Sequence, residues 1–358
     1  MNTPTTTTYT HNGPWCLENG DELPGLQLRY QTMGTLNAQK NNVVWVCHAL
    51  TGNADFNDWW PGLFGSGALY NPADYFIVCV NVPGSCYGST GPLSTCQAAG
   101  QAYYHDFPQL TNRDIASAFD LLRRHLGIQQ IHTLIGASLG GQQALEWAIL
   151  RPAIFNHLVL VATNARHSAW GIAFNETQRM AIQQDPTWAE SHPAAGLHGL
   201  KTARAIAMLS YRHYNKYNAT QAEANNEQTD QFRAAGYQRY QGEKLSQRFN
   251  AFSYWVLSKA MDSHNVGRDR GSIEAALKKV CAKTLVLGVP TDQLFPYVEQ
   301  EYLARHIANA QIKAINTDYG HDGFLVETRQ VAQHIKSFYA QAHHRVSEQK
   351  VAVGVYAG

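Results

Sequence analysis

The sequence predicts an α/β fold, with a mostly parallel sheet flanked by helices and a helical cap inserted into it. Short apolar, β-branched runs alternate with helical segments in both halves of the chain, which is typical of parallel strands joined by crossover helices. Between residues 165 and 271 the helical patterns continue without a strand. We therefore expect a core domain of residues 1–164 and 272–358 and a cap domain of residues 165–271.

The predicted elements follow one another in chain order. Residues 1–12 are predicted to form a polar, Thr-rich tail. Two crossover helices, 112–126 and 139–150, carry apolar residues at i, i+3 and i+4. Helical stretches 197–211 and 244–261 are expected in the cap, and a helical segment 326–342 precedes a polar tail. Six strands are expected, at residues 43–47, 76–80, 131–135, 157–161, 284–289 and 311–315.

Composition limits the classes of partner. Of 358 residues, 44% are hydrophobic, which is enough apolar material for a large buried core. Only 15% are charged, too few for a disordered chain. The 28 Lys and Arg against 27 Asp and Glu leave a formal charge of +1, without the positive excess that nucleic-acid binding needs. Apolar runs end far short of the roughly 20 residues that cross a bilayer, and residues 1–12 lack the features of a secretory signal. We expect a cytoplasmic protein without nucleic-acid or membrane partners.

The cysteines and histidines show no pattern of a metal or cofactor site. No CxxC, HExxH, GK[ST] or GxGxxG sequence occurs. We therefore expect no metal and no permanently bound cofactor. The cysteines are expected to be buried free thiols, namely Cys16, Cys47, Cys79, Cys86, Cys96 and Cys281.

The candidate nucleophile is Ser138. It lies in Gly136-Ala137-Ser138-Leu139-Gly140, directly after the predicted strand 131–135 and at the start of a predicted helix. A GxSxG pattern between a strand and a helix is typical of a sharp turn that exposes the serine hydroxyl. Such a turn crowds its neighbours, so the flanking positions need glycine. The alternative is a glycine-rich turn without chemistry.

Asp292 and His321, which both lie further along the chain than Ser138, are candidates for the acid and the base that a serine nucleophile needs. In a fold of this kind, the acid and then the histidine follow the serine along the chain. Asp292 lies three residues beyond strand 284–289, at the sheet edge where α/β sites gather, and Asp318 is the competing acid. His321 follows strand 311–315 in a loop with glycine near it on both sides. We expect a triad of Ser138, His321 and Asp292.

Two backbone amides are candidates for an oxyanion hole. Acyl transfer develops negative charge on a carbonyl oxygen, which two preorganised N–H donors stabilise. The first donor is expected to be Leu139, the residue after the nucleophile. The second should come from His48-Ala49-Leu50-Thr51-Gly52, which follows strand 43–47, and we assign it to the Leu50 amide. An ordinary strand-to-helix loop is the alternative.

These motifs together resemble the homoserine O-acetyltransferase family of α/β-hydrolase-fold enzymes, nearly from end to end of the chain. The nucleophile motif and the 48–52 segment carry part of the resemblance. Other segments carry the rest: Gly84-Ser85-Cys86-Tyr87-Gly88-Ser89-Thr90-Gly91-Pro92, Tyr211-Arg212, Gln241-Gly242-Glu243-Lys244 with Arg248-Phe249, Met261-Asp262-Ser263-His264, Asp292-Gln293-Leu294-Phe295-Pro296 and Gly320-His321-Asp322-Gly323-Phe324.

The resemblance implies acetyl transfer from acetyl-CoA, as a co-substrate, to the hydroxyl of L-homoserine in methionine synthesis. The acetyl group would pass through an ester on Ser138. The family pattern assigns Arg212 to the substrate carboxylate and Asp322 to its ammonium group. The resemblance also implies a homodimer formed through the cap. For Arg212 a surface ion pair is the alternative, and Asp322 could act only in shaping its loop.

Other activities of the same fold stay open at this point. Related enzymes use succinyl-CoA, and some acylate serine. A succinyl carboxylate would need an extra cation near the 84–92 loop, where Tyr87 supplies none, so the sequence favours acetyl. An esterase would have the triad without an amino-acid clamp, and a non-catalytic binding protein would lack a triad member.

Overall fold

The computed structural model describes residues 3–96 and 99–354, with side chains described as far as residue 341. Within these residues the central element is a sheet of eight strands in the order β1-β2-β4-β3-β5-β6-β7-β8. The β1–β2 and β2–β4 pairs are antiparallel, and the other pairs are parallel. The strands are β1 (Thr5–His11), β2 (Leu26–Met33), β3 (Val43–Cys47), β4 (Phe76–Val80), β5 (Ile131–Ala137), β6 (Phe155–Val161), β7 (Lys283–Gly288) and β8 (Ala310–Ala314).

All six predicted strands are present, with ends shifted by at most two residues. The prediction of a polar tail at residues 1–12 is wrong, because Thr5–His11 forms the edge strand β1. Threonine is β-branched and suits a strand whose side chains are mostly exposed. Strand β2 was not predicted either, although Leu26, Leu28 and Tyr30 alternate there as buried residues with exposed ones.

Helices surround the sheet and fill the segment between β6 and β7. Short two-stranded ribbons pair Trp15–Cys16 with Glu22–Leu23 and Thr95–Cys96 with Gln101–Ala102. The helices are α1 (Phe56–Trp59), α2 (Asn112–His125), α3 (Leu139–Leu150), α4 (Ala169–Gln183), α5 (Leu197–Tyr211), α6 (Tyr214–Gln221), α7 (Arg233–Ser246), α8 (Ala251–Asp262), α9 (Ile273–Leu277), α10 (Tyr297–His306), α11 (Gly323–Val326) and α12 (Thr328–Gly354).

The predicted helices agree with α3 and α5, and α2 ends one residue earlier than expected. The prediction of one continuous helical stretch over residues 244–261 is wrong, because α7 ends at Ser246 and α8 begins at Ala251. The side chain of Asn250 accepts a hydrogen bond from the Ser253 amide at 2.8 Å and so caps a new helix. The end of the chain also differs from the expected segment 326–342 with a polar tail, because α11 and α12 divide it and α12 continues to Gly354.

The core lies on both faces of the sheet, since side chains alternate along each strand. Trp45 faces one side, where its ring lies 4.9 Å from that of Trp147 in α3. Val44 and Val46 face the other side with Trp60. The carboxyl ends of the parallel strands β3, β5, β6, β7 and β8 meet at one edge, and the loops that follow them carry the predicted site residues.

The segment with α4–α8 leaves and rejoins the sheet layer at one place. The His167 amide donates to the His264 carbonyl at 2.9 Å, and the Val266 amide donates to the Ala165 carbonyl at 3.0 Å. These two bonds join the ends of the insertion. In the part of the chain that the structure describes, no helix has both the length and the hydropathy of a membrane span. The division into two domains stays a prediction.

The cysteine prediction is partly confirmed. Cys47 and Cys79 are buried free thiols, as expected from their place in apolar strands. The same expectation is wrong for Cys16 and Cys281, which are exposed although both chain neighbours of each are buried. Cys86 and Cys96 are only partly buried.

Candidate active site

The turn between β5 and α3 carries Ser138, which has φ 56° and ψ −126° and is 5% exposed. A Cβ on Gly136 would lie 2.2 Å from the carbonyl oxygen of Gly140. A Cβ on Gly140 would lie 2.1 Å from the carbonyl oxygen of Cys47. Neither position has room for a side chain, so the glycines of the GxSxG sequence let this strained turn form.

The structure brings Ser138, His321 and Asp292 together. His321 Nε2 lies 2.9 Å from Ser138 Oγ, and His321 Nδ1 lies 2.6 Å from Asp292 Oδ2. The other carboxylate oxygen of Asp292 accepts hydrogen bonds from the amides of Leu294 at 2.8 Å and Phe295 at 2.9 Å. Asp318, the competing acid, is exposed. The geometry is that of a serine whose hydroxyl can pass its proton to a histidine held by a carboxylate.

The surroundings of His321 keep it basic. Burial lowers the pKa of His321, but the Asp292 carboxylate and the hydrogen bond to it outweigh burial and raise the pKa above its usual value. The carboxylate can only accept, so Nδ1 donates to Asp292 and Nε2 is left to accept the Ser138 proton. Phe295 stacks on the imidazole with centroids 5.1 Å apart, and Phe324 meets it edge-on at 5.5 Å.

The 48–52 segment forms a turn beside the nucleophile. The Gly52 amide donates to the Ala49 carbonyl at 2.9 Å, which places Leu50 at a central position of the turn, where the amide has no bond within the turn. His48 Nε2 accepts from the Val82 amide at 3.1 Å, so Nδ1 carries the proton and donates to the Ala49 carbonyl at 2.9 Å. Burial lowers the pKa of His48 to about 4, and the ring is therefore neutral near pH 7.

One predicted oxyanion donor, Leu139, lies at the start of α3, and the turn that carries the other, Leu50, begins beside it. Leu139 begins α3, so its amide is one of the four that have no partner inside the helix. A Cβ on Gly140 would lie 2.1 Å from the Cys47 carbonyl oxygen and 2.9 Å from that of His48, so the start of the 48–52 turn packs against the start of α3. That the Leu50 and Leu139 amides act on one oxyanion stays a prediction.

Arg212 and Asp322, the predicted substrate clamp, lie side by side. Arg212 Nε is 2.8 Å from Asp322 Oδ2, but its N–H does not point along the contact, so the two form an ion pair without a hydrogen bond. A Cβ on Gly320 would lie 2.7 Å from the His213 amide nitrogen, which shows how closely the end of α5 packs on the His321 turn. Burial raises the pKa of Asp322, and the Arg212 charge opposes that effect. A cation and an anion thus lie next to the base.

Two residues that contact the site, Phe295 and Arg248, are not among the predicted site residues. Arg248 lies between α7 and α8, and its Nη1 donates to the Tyr87 hydroxyl at 2.6 Å and to the Thr51 carbonyl at 2.7 Å. The expectation that no cation lies near the 84–92 loop is therefore wrong. The cation comes from a residue 161 positions further along the chain, which no local pattern around Tyr87 could indicate. The sequence signal that could have indicated Arg248 is the Arg248-Phe249 pair, which is one of the segments that carry the family resemblance.

Several known proteins resemble this chain in sequence or in structure. The model of the alpha/beta hydrolase fold family matches residues 42–328. A homoserine O-acetyltransferase of Cyclobacterium marinum is 52% identical over 325 residues, covering 91% of this chain and 92% of that protein. The crystal structure of homoserine O-acetyltransferase from Bacillus anthracis has a TM-score of 0.87 at 23% identity, covering 94% of this chain and 98% of that one. Esterase E22 has a TM-score of 0.85 at 22% identity, covering 94% and 100%.

A transferase and an esterase thus match this structure about equally well, and at such identities the two likenesses show the fold alone. The α/β-hydrolase fold predicted from the sequence is confirmed. In the described residues, no group of three His, Cys, Asp or Glu side chains could hold a metal ion. The identity to the C. marinum protein extends over most of both sequences. This chain therefore belongs to the homoserine O-acetyltransferase family, within the α/β-hydrolase fold.

Proposed function

We propose that this protein transfers an acetyl group from acetyl-CoA to the hydroxyl of L-homoserine, giving O-acetyl-L-homoserine for methionine synthesis. The observation that carries the proposal is the position of His321, 2.9 Å from Ser138 and 2.6 Å from Asp292. Relatives named homoserine O-acetyltransferase supply the substrate class, including one from Chlorobaculum tepidum that is 44% identical over 340 residues. No metal or permanently bound cofactor takes part in the proposed reaction.

In the first half-reaction Ser138 attacks the thioester carbonyl of acetyl-CoA. His321 accepts the hydroxyl proton at Nε2 as the Ser138 Oγ–carbon bond forms, and the Leu50 and Leu139 amides donate to the oxyanion. The carbon–sulfur bond then breaks, and His321 returns the proton to the departing thiolate. The products are free CoA and an acetyl ester on Ser138, and the imidazole is neutral again.

In the second half-reaction the homoserine hydroxyl is the nucleophile, and His321 deprotonates it as it deprotonated the Ser138 hydroxyl before. His321 accepts the proton of the homoserine hydroxyl as its oxygen bonds to the acetyl carbonyl carbon. The bond from that carbon to Ser138 Oγ then breaks, and His321 returns the proton to Oγ, which leaves O-acetyl-L-homoserine and the free serine hydroxyl. We assign Arg212 to the carboxylate of homoserine and Asp322 to its ammonium group. Their ion pair is not aligned as a hydrogen bond, so the guanidinium keeps N–H groups for a planar carboxylate.

Water competes with homoserine for the acetyl ester, because its concentration is about 55 M while well-oriented groups reach effective molarities of about 10⁵ M. We propose that residues 165–271 act as a cap that excludes water from the site and holds the acceptor. Two residues of this segment support the role, since Arg212 pairs with Asp322 and Arg248 contacts Thr51.

The same segment is the proposed homodimer interface. Most of the large exposed apolar side chains of the described residues lie in this segment, and exposed apolar surface is a common feature of protein–protein contacts. They are Trp170, Ile172, Met180, Leu209, Tyr214, Phe232 and Tyr240. We also place the enzyme in the cytoplasm, where its thiols would stay reduced.

Purified protein incubated with one acyl donor and one acceptor tests the proposal. Acetyl-CoA or succinyl-CoA is combined with homoserine or serine, and both free thiol release and product mass are followed. We expect rapid thiol release and an acetylated product only with acetyl-CoA and homoserine, and neither with Ser138→Ala. Thiol release that does not depend on the amino acid indicates a hydrolase instead, and succinylated product identifies the other donor.

The clamp is tested by separating the two half-reactions. Arg212→Gln should raise the KM for homoserine about 10- to 100-fold, the range expected for a lost charged hydrogen bond, without slowing the first release of CoA. Arg239→Gln is the control, because Arg239 is exposed on α7. An equal loss of CoA release in Arg212→Gln would mean that the ion pair positions His321 rather than the acceptor.

A further inference from the structure

Arg248 is held in place by two contacts of its own segment. Phe249 is buried, and its ring meets that of Tyr87 edge-on with centroids 5.9 Å apart. The thiol of Cys86 lies 3.6 Å from the Arg248 carbonyl oxygen. The turn between α7 and α8 is thus attached to the 84–92 loop, and the Arg248 guanidinium reaches from there to the Thr51 carbonyl at 2.7 Å.

Thr51 and Leu50 are the two central residues of the turn that the Gly52–Ala49 hydrogen bond closes. The Ala49 carbonyl and the Leu50 N–H belong to one planar peptide group, so a bond to the carbonyl also fixes the direction of the N–H. His48 Nδ1 and the Gly52 amide both donate to that carbonyl, at 2.9 Å each. The first peptide of the turn is therefore held from inside the core.

The Thr51 carbonyl belongs to the other end of the turn, and Arg248 donates to it from 197 positions further along the chain. A bond from a charged donor is roughly twice as strong as one between neutral groups. Without it, the Thr51–Gly52 peptide is freer to rotate, and its Gly52 amide then holds the Ala49 carbonyl, and with it the Leu50 N–H, less firmly. A preorganised oxyanion donor loses much of its effect when it is misplaced.

We propose that Arg248 is a positioning residue for the Leu50 oxyanion donor, through its hydrogen bond to the Thr51 carbonyl. The residue comes from the α7–α8 turn of the segment 165–271, so that segment completes the oxyanion hole as well as covering the site. The inference rests on the proposed acyl transfer and concerns its first half-reaction, the acetylation of Ser138.

The test measures the rate constant of Ser138 acetylation with acetyl-CoA by rapid thiol detection, together with the KM for acetyl-CoA and the melting temperature. Arg248→Met should slow acetylation about 10- to 100-fold with KM changed by less than twofold. Arg248→Lys should recover part of the rate, and added guanidinium ion should recover part of it in Arg248→Met. Arg239→Met on α7 is the matched control and should keep the wild-type rate.

A double variant identifies the group through which Arg248 acts. Leu50→Pro removes the amide hydrogen at a central turn position that proline suits, and should itself slow acetylation. In the Leu50→Pro background, Arg248→Met should lower the acetylation rate constant by less than threefold, because the donor that Arg248 positions is already lost. Full additivity of the two effects contradicts the proposal.

Other results would also overturn it. A raised KM with an unchanged rate constant means that Arg248 binds the anionic part of the donor. A lowered melting temperature with an unchanged rate constant means that the contact only stabilises the fold. If the wild-type protein forms no acetylated Ser138 with acetyl-CoA, the proposed function itself fails, which is a different outcome from a normal rate in Arg248→Met.

Discussion

The ring of Phe295 lies nearly parallel to the imidazole of His321, with an angle of 18° between the planes. The amide of the same residue donates to Asp292 Oδ1 at 2.9 Å. One buried residue therefore orients both the acid and the base of the triad. Because its ring is fully buried, Phe295 leaves the imidazole little freedom to turn away from Ser138.

Replacing this ring should reduce turnover more than binding. In Phe295→Leu we expect kcat to fall about 10-fold, since an aromatic pair contributes about 0.5–1.5 kcal/mol, while KM values stay within a factor of about two. Steady-state kinetics on the folded fraction measure the effect. Phe338→Leu is the control, because Phe338 is also buried but lies in the cluster that α12 forms on the sheet. An equal fall in kcat in both variants would point to general loss of stability.

The pH dependence should report the raised pKa of His321. The base must be neutral to accept a proton, so the rate falls as pH is lowered through its pKa, which lies above the usual value of about 6.5. In Asp292→Asn the inflection should move to lower pH, and kcat should fall about 10⁴-fold because the tautomer is no longer held. Profiles of kcat and of kcat/KM from pH 5 to 9 measure the fall in kcat and the position of the inflection.

Glu299 provides the control for this profile. Burial raises its pKa to about 7, and its carboxylate accepts from Asn164 Nδ2 at 2.9 Å. It could therefore titrate in the same range as the base. If the inflection belongs to His321, it should survive in Glu299→Gln, and its disappearance there would assign it to Glu299.

Two glycine substitutions should have opposite effects on stability. In Gly140→Ala the new Cβ meets the Cys47 carbonyl at 2.1 Å, and the clash should lower the free energy of unfolding by about 1–3 kcal/mol or more and remove activity. In Gly236→Ala nothing lies within 4 Å of the Cβ, and the helix interior should gain about 0.5–1 kcal/mol with activity unchanged. Denaturant unfolding of both variants checks the contrast. A stable, active Gly140→Ala enzyme would contradict the structure of the turn.

Stability should fall in acid because of two histidines where the insertion joins the sheet layer. Burial lowers the pKa of both His167 and His264 to about 3, below the value of about 6.5 in the unfolded chain. Their contribution to the free energy of unfolding is complete above pH 6.5 and is lost as pH falls towards 3, because the unfolded state then binds more protons. Between these pH values each histidine makes the free energy of unfolding fall by about 1.4 kcal/mol per pH unit.

The measurement is the free energy of unfolding between pH 7 and 4. His167→Gln should flatten the slope by about one proton, although it also lowers stability at pH 7. His192→Gln is the control, because His192 is exposed, and should leave the slope as it is. An unchanged slope in His167→Gln would show that carboxylates cause the acid sensitivity.

Much of the site could be predicted because its signals are local. The GxSxG turn needs glycine at positions 136 and 140 for steric reasons that act within a few residues and one neighbouring strand end. The strands that are buried on both faces have continuous apolar sequences, so β3 and β4 were found with their observed bounds. Strand β1 was missed because an exposed edge strand carries polar side chains and resembles a tail.

What the sequence by itself determined is the six apolar strands β3 to β8, the strained turn at Ser138 and the candidate histidine and acid, because apolar periodicity and turn chemistry depend on residues that are adjacent in the chain. The tertiary structure alone decided that Arg212 pairs with Asp322 and that Arg248 reaches Thr51. Such contacts join residues more than a hundred positions apart. They depend on where the packed helices bring side chains, which no local pattern records.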